Sequence, residues 1–416
     1  MVQPRDVPSE ALVIGGGIQG VTAALALAER GVSSTIVEAD STLLSRASVR
    51  NEGKIHLGFV YALDPSGGTV AQMVEGALTF APLLQSWCGE IDWSAMRSDP
   101  FAYAVMPDSL ASTDALESHY GRVIDEIRSR ADYLGTDYCG IDLAEVGEVT
   151  RGEGSPPGLD TSLDHDWFAT PEVSVDPRAL CALLERAVTE SPLIEAQTSC
   201  RVTGVERSEA GITLTCDTPD GGRTYTADAV MNCAWQGRAA LDEMAGLEPE
   251  RLIYRLKHQV IVRAGSPTGS SADIQPLTLV QGPYGDVVPW QGGEIYLSWY
   301  PVGRSFIGSA PEASQDPDPA VAEATLAHLQ EMIPALARYG VSDHAPAYIV
   351  APDPVDIGDD ISSTDSPLHD RSRMGVVSND GWYSLRSHKL TTAPLVSERC
   401  AAALTGKEAR PVEGAA

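Results

Sequence analysis

The chain has 416 residues, of which 58 are Asp or Glu and 29 are Lys or Arg, giving a formal net charge of −29. A surface this acidic repels nucleic acid and anionic membrane, and both are excluded as expected partners. Hydrophobic content of 43% and charged content of 21% are those of an ordinary globular protein, and the length allows a large core shared by two or three structural units.

The first ten residues are polar, with Pro4 and Pro8, and read as a loose leader rather than a signal peptide. Ala11-Leu12-Val13-Ile14 is a short apolar run that predicts a strand. Gly15-Gly16-Gly17-Ile18-Gln19-Gly20 follows, and Val21 to Arg30 predicts a helix stopped by Gly31. Ser34-Thr35-Ile36-Val37 predicts a second strand with Glu38 at its end. Strand, glycine turn, helix, strand and acid are the full context of a dinucleotide fingerprint. Gly15 allows the tight turn, Gly17 lets a pyrophosphate approach the backbone, and Gly20 lets the helix pack on the strand. The helix N-terminus, through Ile18 and Gln19, offers N–H groups and partial positive charge to the phosphates. Glu38 stands at about the spacing where a carboxylate takes ribose hydroxyls, and its charge argues against a 2′-phosphate.

Residues 69–88 predict a helix with Val70, Met73, Val74 and Ala77 on one face, and 89–165 read as short helices and strands with Gly and Pro. Asp176-Pro177 is a helix start. Three short β segments follow within 201–227, and 229–234 predict an apolar strand ending in Asn232-Cys233-Ala234. Further strands are expected at 252–263, 276–281 and 294–300, a turn at Tyr284-Gly285-Asp286, and a helix over 318–338. The seven cysteines are an odd number with no CxxC, so neither a disulfide framework nor a metal site is expected, and a reducing cytoplasm is. No apolar stretch is long enough for a membrane helix.

The segment Ser48-Val49-Arg50-Asn51-Glu52-Gly53-Lys54-Ile55-His56-Leu57-Gly58 and the late run Gly381-Trp382-Tyr383-Ser384-Leu385-Arg386-Ser387-His388-Lys389-Leu390-Thr391-Thr392 resemble the D-amino acid oxidase and glycerol-3-phosphate dehydrogenase superfamily of FAD-dependent oxidoreductases. The Ile55-His56-Leu57-Gly58 run looks most like 2-hydroxyglutarate and glycerol-phosphate dehydrogenases. The resemblance implies an α/β fold: a three-layer, Rossmann-like FAD-binding domain with a second, mainly antiparallel β-sheet domain for substrate. We expect the first from residues 1–80, 170–240 and 355–408, the second from 81–169 and 241–354, and a tail over 409–416. It also implies FAD contacts at Asn51, Gly53, Lys54, the Val202 backbone, Cys233 and Ala234, and at His388, Lys389, Leu390 and Thr391.

Catalysis would be oxidation of a C–H bond beside a hydroxyl or amine of a small anionic metabolite, with hydride transfer to flavin N5. His56 is the first candidate, as general base, substrate contact or covalent flavin tether; a histidine bonding nearby backbone is the competing reading. Arg255 and Lys257 share one side of a predicted strand and, with Tyr300, would suit a carboxylate or phosphate; a solvated outer face competes. Lys389 or the helix following Thr392 would stabilise reduced flavin. Two other classes stay open, beside a plain NAD dehydrogenase, against which the C-terminal resemblance argues. One is a monooxygenase of the aromatic hydroxylase type, against which 360–367 read as loop after Gly358-Asp359; the other is a non-redox FAD or metabolite-binding protein. Whether electrons pass to O₂, a quinone or a carrier is also open.

Overall fold

The computed structural model describes residue 8, residues 10–152, 154–160, 165–250, 252–264, 274–311, 316–352, 363–364, 366, 369–370, 372, 374–387 and 389–407. The first apolar run becomes the strand Glu10–Ile14, buried on both faces. Alternate side chains divide between two layers. Ala11 and Val13 join the core beneath the helices, whereas Leu12 and Ile14 pack with Ile212, Leu214 and Cys216. A strand covered on both sides reads as continuous apolar sequence, as this one does.

Six strands form the sheet around it, in the order Ile194–Gln197, Ser33–Val37, Glu10–Ile14, Val230–Asn232, Trp382–Arg386 and Gly375–Asn379. All neighbours are parallel except the last pair. Helices Ile18–Glu29, Gly68–Cys88, Pro177–Glu190 and Ala393–Thr405 contribute to the core on one face. The antiparallel strands Arg201–Ser208, Gly211–Thr218 and Gly221–Ala227 cover the other. The helix signal at Asp176-Pro177 is realised: the Asp176 carboxylate accepts the Arg178 N–H at 2.8 Å.

The second sheet runs Arg304–Gly308, Leu252–Ala264, Glu294–Leu297, Gly285–Pro289, Leu277–Val280, Ala102–Val105, Trp167–Ala169 and Thr150–Gly152, with Tyr339–Pro352 paired along Leu252–Ala264. Only Leu277–Val280 against Ala102–Val105 is parallel among the described pairs. The fold is thus α/β, a Rossmann-like three-layer sheet with a second, mainly antiparallel sheet. Within Leu252–Ala264, Val260 and Val262 pack in the cluster that includes Leu326 and Leu329 of helix Pro319–Met332. Ile261, on the opposite face, joins the main core. Arg255 and Lys257 share its parity, which aims them at the interior between the sheets.

Several expectations are corrected here. Tyr284-Gly285-Asp286 is not a turn, because Gly285–Pro289 is a strand. A Cβ on Gly285 would lie 1.8 Å from the Ser298 carbonyl, so the glycine marks close strand packing. Residues 89–165 contain a helix of 22 residues, Thr113–Leu134, capped by the Ser112 hydroxyl. Helix Gly68–Cys88 passes through residues 80 and 81, where a boundary was expected. The helix expected over 318–338 ends at Met332, and a 3-10 turn begins at Pro334, which cannot continue an α-helix. The 14-residue strand Tyr339–Pro352 was not anticipated. Gly358-Asp359 and most of the loop read after it lie outside the described residues.

Candidate active site

The glycine turn is shaped by sterics. Gly15 has φ +97°, and a Cβ there would sit 2.9 Å from the Cys233 carbonyl oxygen. A Cβ on Gly20 would lie 1.8 Å from the Gly15 oxygen, so the first helix can pack this closely only with glycine. At Gly17 a Cβ would meet only Ser48 Oγ, at 3.4 Å. This position is open on the protein side and lines a cavity of about 490 Å³.

Glu38 stands at the end of its strand, on the same cavity. Its Oε2 accepts the Gly16 N–H at 2.5 Å and its Oε1 accepts the Asp40 N–H at 2.7 Å. Each oxygen keeps a further lone pair for a hydroxyl donor. Asp40 is braced in turn by the Arg46 guanidinium, which holds its carboxyl below the usual range against the opposing effect of burial. Ile18 and Gln19 line the cavity too, although the Gln19 amide turns inward and donates to Ser397 Oγ at 2.7 Å. Val202, Cys233 and Ala234 form another part of the wall.

Asn51 lines the cavity and staples its own turn: Nδ2 donates to the Ala47 carbonyl at 2.8 Å, and Oδ1 accepts the Gly53 N–H at 2.8 Å. Gly53 is set back from the wall, where a Cβ would lie 1.9 Å from the Val175 oxygen. Thr391 is also set back, and its hydroxyl accepts the His56 N–H at 2.8 Å, tying the C-terminal run to the His56 segment. Lys389 and Leu390 do line the cavity. His388 lies outside the described residues, and Arg386 pairs with Glu250 at 3.4 Å instead of facing the cavity.

A second cavity of about 180 Å³ shares Glu52, Lys54, His56, Lys257, Tyr300 and Lys389 with the first. His56 is 4% exposed. Neither ring nitrogen has a hydrogen-bond partner, and Nδ1 lies 3.6 Å from Glu172 Oε1. Burial, and then the Lys389 charge, pushes the His56 pKa below its ordinary value; Glu172 opposes them. Glu172 is fully buried. Its Oε2 accepts the Leu57 N–H at 2.6 Å, and Oε1 accepts the Tyr103 hydroxyl. Burial raises its carboxyl, but His56, Lys54 and Tyr103 outweigh that and hold it below the ordinary value.

Lys54 lines both cavities, but its ammonium is engaged by protein partners. Its ammonium donates to Asp286 Oδ1 at 2.6 Å and to Thr278 Oγ1, with the Phe101 ring centroid 4.3 Å away. Lys257 pairs with Glu52 at 3.1 Å and lies 4.6 Å from the Tyr300 ring centroid. Burial pushes the Lys257 ammonium down, but Glu52 first and then the two tyrosines raise it well above its ordinary value. Arg255 lines the second cavity only. The predicted His56, Arg255, Lys257, Tyr300 and Lys389 therefore converge. Glu172 and Asp286 were missed as site residues. Glu172 carries no local signal, and Asp286 was quoted only as part of a turn.

The cavity fits a flavin dinucleotide. Its glycine turn tolerates no side chain at Gly15 or Gly20 and is open at Gly17, and it has a carboxylate at the strand end. At the junction of the two cavities it has a buried histidine with unsatisfied nitrogens. No helix among the described residues is long and apolar enough to cross a membrane, and no His/Cys/Asp/Glu group among them could hold a metal.

Residues 10–403 match the DAO family model, described as FAD dependent oxidoreductase. The chain is 28% identical over 276 residues to a probable FAD-dependent oxidoreductase of Pseudomonas aeruginosa; the match takes in 63% of this chain and 60% of that protein, so it spans about three-fifths of that relative's length. The fold is similar to glycine oxidase from Geobacillus kaustophilus, with TM-score 0.68, 17% identity, and coverage of 96% of this chain and 95% of that one. It is also similar to the FAD-bound, dithionite-reduced L-α-glycerophosphate oxidase of Mycoplasma pneumoniae, with TM-score 0.64, 14% identity and 98% of each chain covered.

Proposed function

The chain belongs to the DAO family of FAD-dependent oxidoreductases, and from that premise we propose that it oxidises a C–H bond beside a hydroxyl or amine of a small anionic metabolite. When bound, FAD supplies the acceptor for the hydride. The proposed cofactor contacts are the Gly15–Gly20 turn and Glu38 with Asn51, Val202, Cys233, Ala234, Lys389 and Leu390, all lining one cavity save Gly16 and Gly20, the latter of which lets the turn close.

The observation that carries the catalytic reading is His56, buried at the junction of the two cavities with Glu172 behind Nδ1 and no partner at Nε2. A carboxylate beside Nδ1 favours the tautomer with the proton there and leaves the Nε2 lone pair for the substrate. His56 Nε2 would then take the O–H proton of an alcohol as its C–H bond gives up the hydride, leaving a carbonyl. An amine would have to arrive neutral. Lys257 and Arg255 would orient the anionic group, and the apolar side chains of Val60, Leu279 and Val280 would keep water from the reacting carbon.

On the same reading, the sheet beginning with Glu10–Ile14 serves the cofactor and the sheet built on Leu252–Ala264 serves the substrate, as in the division into 1–80, 170–240 and 355–408 against 81–169 and 241–354. The test is an anaerobic screen of hydroxy acids, amino acids and their phosphate-bearing analogues against the purified yellow protein. Bleaching of the visible flavin band by one class is expected. Bleaching only by a reduced nicotinamide would favour the monooxygenase class, and no bleaching by any candidate would favour a non-redox flavoprotein.

A further inference from the structure

Of the described methionines only Met244 is exposed, at 49%, whereas Met73 and Met231 are fully buried. Scattered exposed apolar side chains are ordinary on a protein surface. Met244 is not scattered: it lines the first cavity, of about 490 Å³, together with Ala240 and Leu241. All three belong to the helix Arg238–Met244, at spacings of three and four, and so share one of its faces.

That face is held firmly in place. The Asp242 carboxylate, on the same short helix, accepts Asn232 Nδ2 at 2.8 Å, Trp382 Nε1 at 2.9 Å, Ser384 Oγ at 2.6 Å and Arg238 Nη1 at 2.8 Å. Just beyond the helix, the Ala245 carbonyl accepts Arg207 Nη1 at 3.0 Å, which ties this end to the strand Arg201–Ser208. Leu241 packs in the same apolar cluster as Val202 of that strand, and Val202 lines the same cavity. The strand's lead-in adjoins Glu38, because the Cys200 N–H donates to the Glu38 carbonyl at 2.8 Å. Glu38 is the carboxylate assigned to the ribose, and the group joined to that ribose in a flavin dinucleotide is adenine. The apolar helix face therefore flanks the end of the cavity where the adenine would lie, away from His56.

We propose that Met244, with Ala240 and Leu241, is the apolar cover of the cofactor's adenine, and that oxidation of the Met244 sulfur to the sulfoxide weakens cofactor binding. This rests on the cofactor contacts assigned above and adds to them a contact and a modification site. A thioether is flexible and polarisable and packs well against an aromatic ring. Adenine laid on it would remove exposed apolar surface from water. In the oxidation, hydrogen peroxide delivers one oxygen to the sulfur. The O–O bond breaks, the S–O bond forms, the sulfur loses two electrons and the second peroxide oxygen leaves as water. The sulfoxide is polar, and its oxygen would lose its water on contact with the ring without gaining a partner. A bound cofactor shields the sulfur, so the oxidation acts on the chain before it is loaded or after it has lost its FAD.

The test uses the full chain, with its FAD and stripped of it. Brief treatment with hydrogen peroxide, read by peptide mass spectrometry, should convert Met244 to its sulfoxide in the stripped chain and leave Met73 and Met231 unmodified. Saturating FAD, and separately ADP, which carries the adenine half alone, should each slow that conversion at least about fivefold. Met244→Gln is expected to weaken FAD and ADP binding alike by about tenfold, and Met244→Leu, which keeps the apolar surface and removes the sulfur, by less than about threefold. Peroxide should weaken FAD binding to the wild type and not to the Met244→Leu chain. Equal oxidation of Met244 with and without FAD overturns the proposal, as does a Met244→Gln chain that binds FAD like the wild type. Protection by FAD but not by ADP overturns the placement at the adenine. A wild-type chain that binds no FAD would instead sink the cofactor assignment itself, so the two failures are distinguishable.

Discussion

His56 Nδ1 lies 3.6 Å from Glu172 Oε1, in a pocket where both side chains are buried and Glu172 is also held by the Leu57 N–H and the Tyr103 hydroxyl. The carboxylate is thus fixed before any ligand arrives, and the imidazole is the member left with unsatisfied nitrogens. His56→Ala should retain FAD, unless the histidine is also its covalent tether, and slow flavin reduction by about 10²–10⁴. Stopped-flow reduction under anaerobic conditions measures this. A near-normal rate in a less stable protein would mean that His56 is structural.

Glu172 is a positioning residue in this arrangement, and its variant should leave a signature in pH. The neutral His56 is the active base, so its rate falls as pH drops through its pKa, which burial and Lys389 place below the ordinary value. Glu172→Gln removes the negative charge that opposes that shift. The acid limb of kcat/KM should then move to still lower pH while the plateau falls by about tenfold to a hundredfold. A lower plateau with an unmoved limb would show that Glu172 only holds the Leu57 segment.

Gly17 and Gly20 should separate cofactor contact from folding. At Gly20 an added methyl would lie 1.8 Å from the Gly15 oxygen, so Gly20→Ala should destabilise the apoprotein. At Gly17 the nearest atom is Ser48 Oγ at 3.4 Å and φ is −73°, which alanine adopts freely. Gly17→Ala should therefore melt near the wild-type apoprotein yet bind FAD at least about tenfold more weakly, because the methyl projects into the pyrophosphate path. Isothermal titration of the two apoproteins with FAD decides it.

Glu38 closes the turn and waits for the ribose. Glu38→Ala should weaken FAD binding by about tenfold to more than a hundredfold, since charge-assisted hydrogen bonds contribute about 1.5–3 kcal/mol. It should also loosen the apoprotein slightly, because the Gly16 and Asp40 N–H groups lose their acceptor. Unchanged FAD affinity would remove Glu38 from the cofactor site.

His119 makes a separate pH prediction. It is buried, its Nε2 is 3.1 Å from the Gly58 carbonyl, and burial pushes its pKa down to about 4. Below about pH 6.5 the unfolded chain takes up this proton before the folded one does, so stability falls as pH drops from about 6.5 to about 4 and this contribution levels off below that. The loss from this one residue is up to about 3 kcal/mol. Urea unfolding of wild type and His119→Asn across that range should show a difference that shrinks towards acid; a constant difference would show that His119 does not titrate as its burial implies.

Local pattern determined much of this protein. The strand, glycine turn, helix, strand and acid over residues 10–38 are consecutive, so one stretch of sequence carries the steric and dipolar logic of a phosphate cradle. The helix start at Asp176-Pro177 and the strands of 201–227 were legible for the same reason, since caps, turns and period-two alternation act between near neighbours. The long strand Tyr339–Pro352 was missed because its partner, Leu252–Ala264, lies far back in the chain. Helix Thr113–Leu134 was missed because its buried stripe of Leu116, Tyr120, Val123, Ile124 and Ile127 is set in a strongly charged surface.

The sequence by itself determined the cofactor family and nominated His56, Arg255, Lys257, Tyr300 and Lys389. It could not pair them. Lys54 and Asp286 are 232 positions apart, and Lys257 and Glu52 are 205 apart. His56 meets Glu172 only because strand Lys54–Ile55 lies against Val173–Ser174. That Lys54 is offset by Asp286 and Lys257 by Glu52 was decided by tertiary packing. Burial and distance set the strength of a charge pair, and neither is a property of residues counted along the chain.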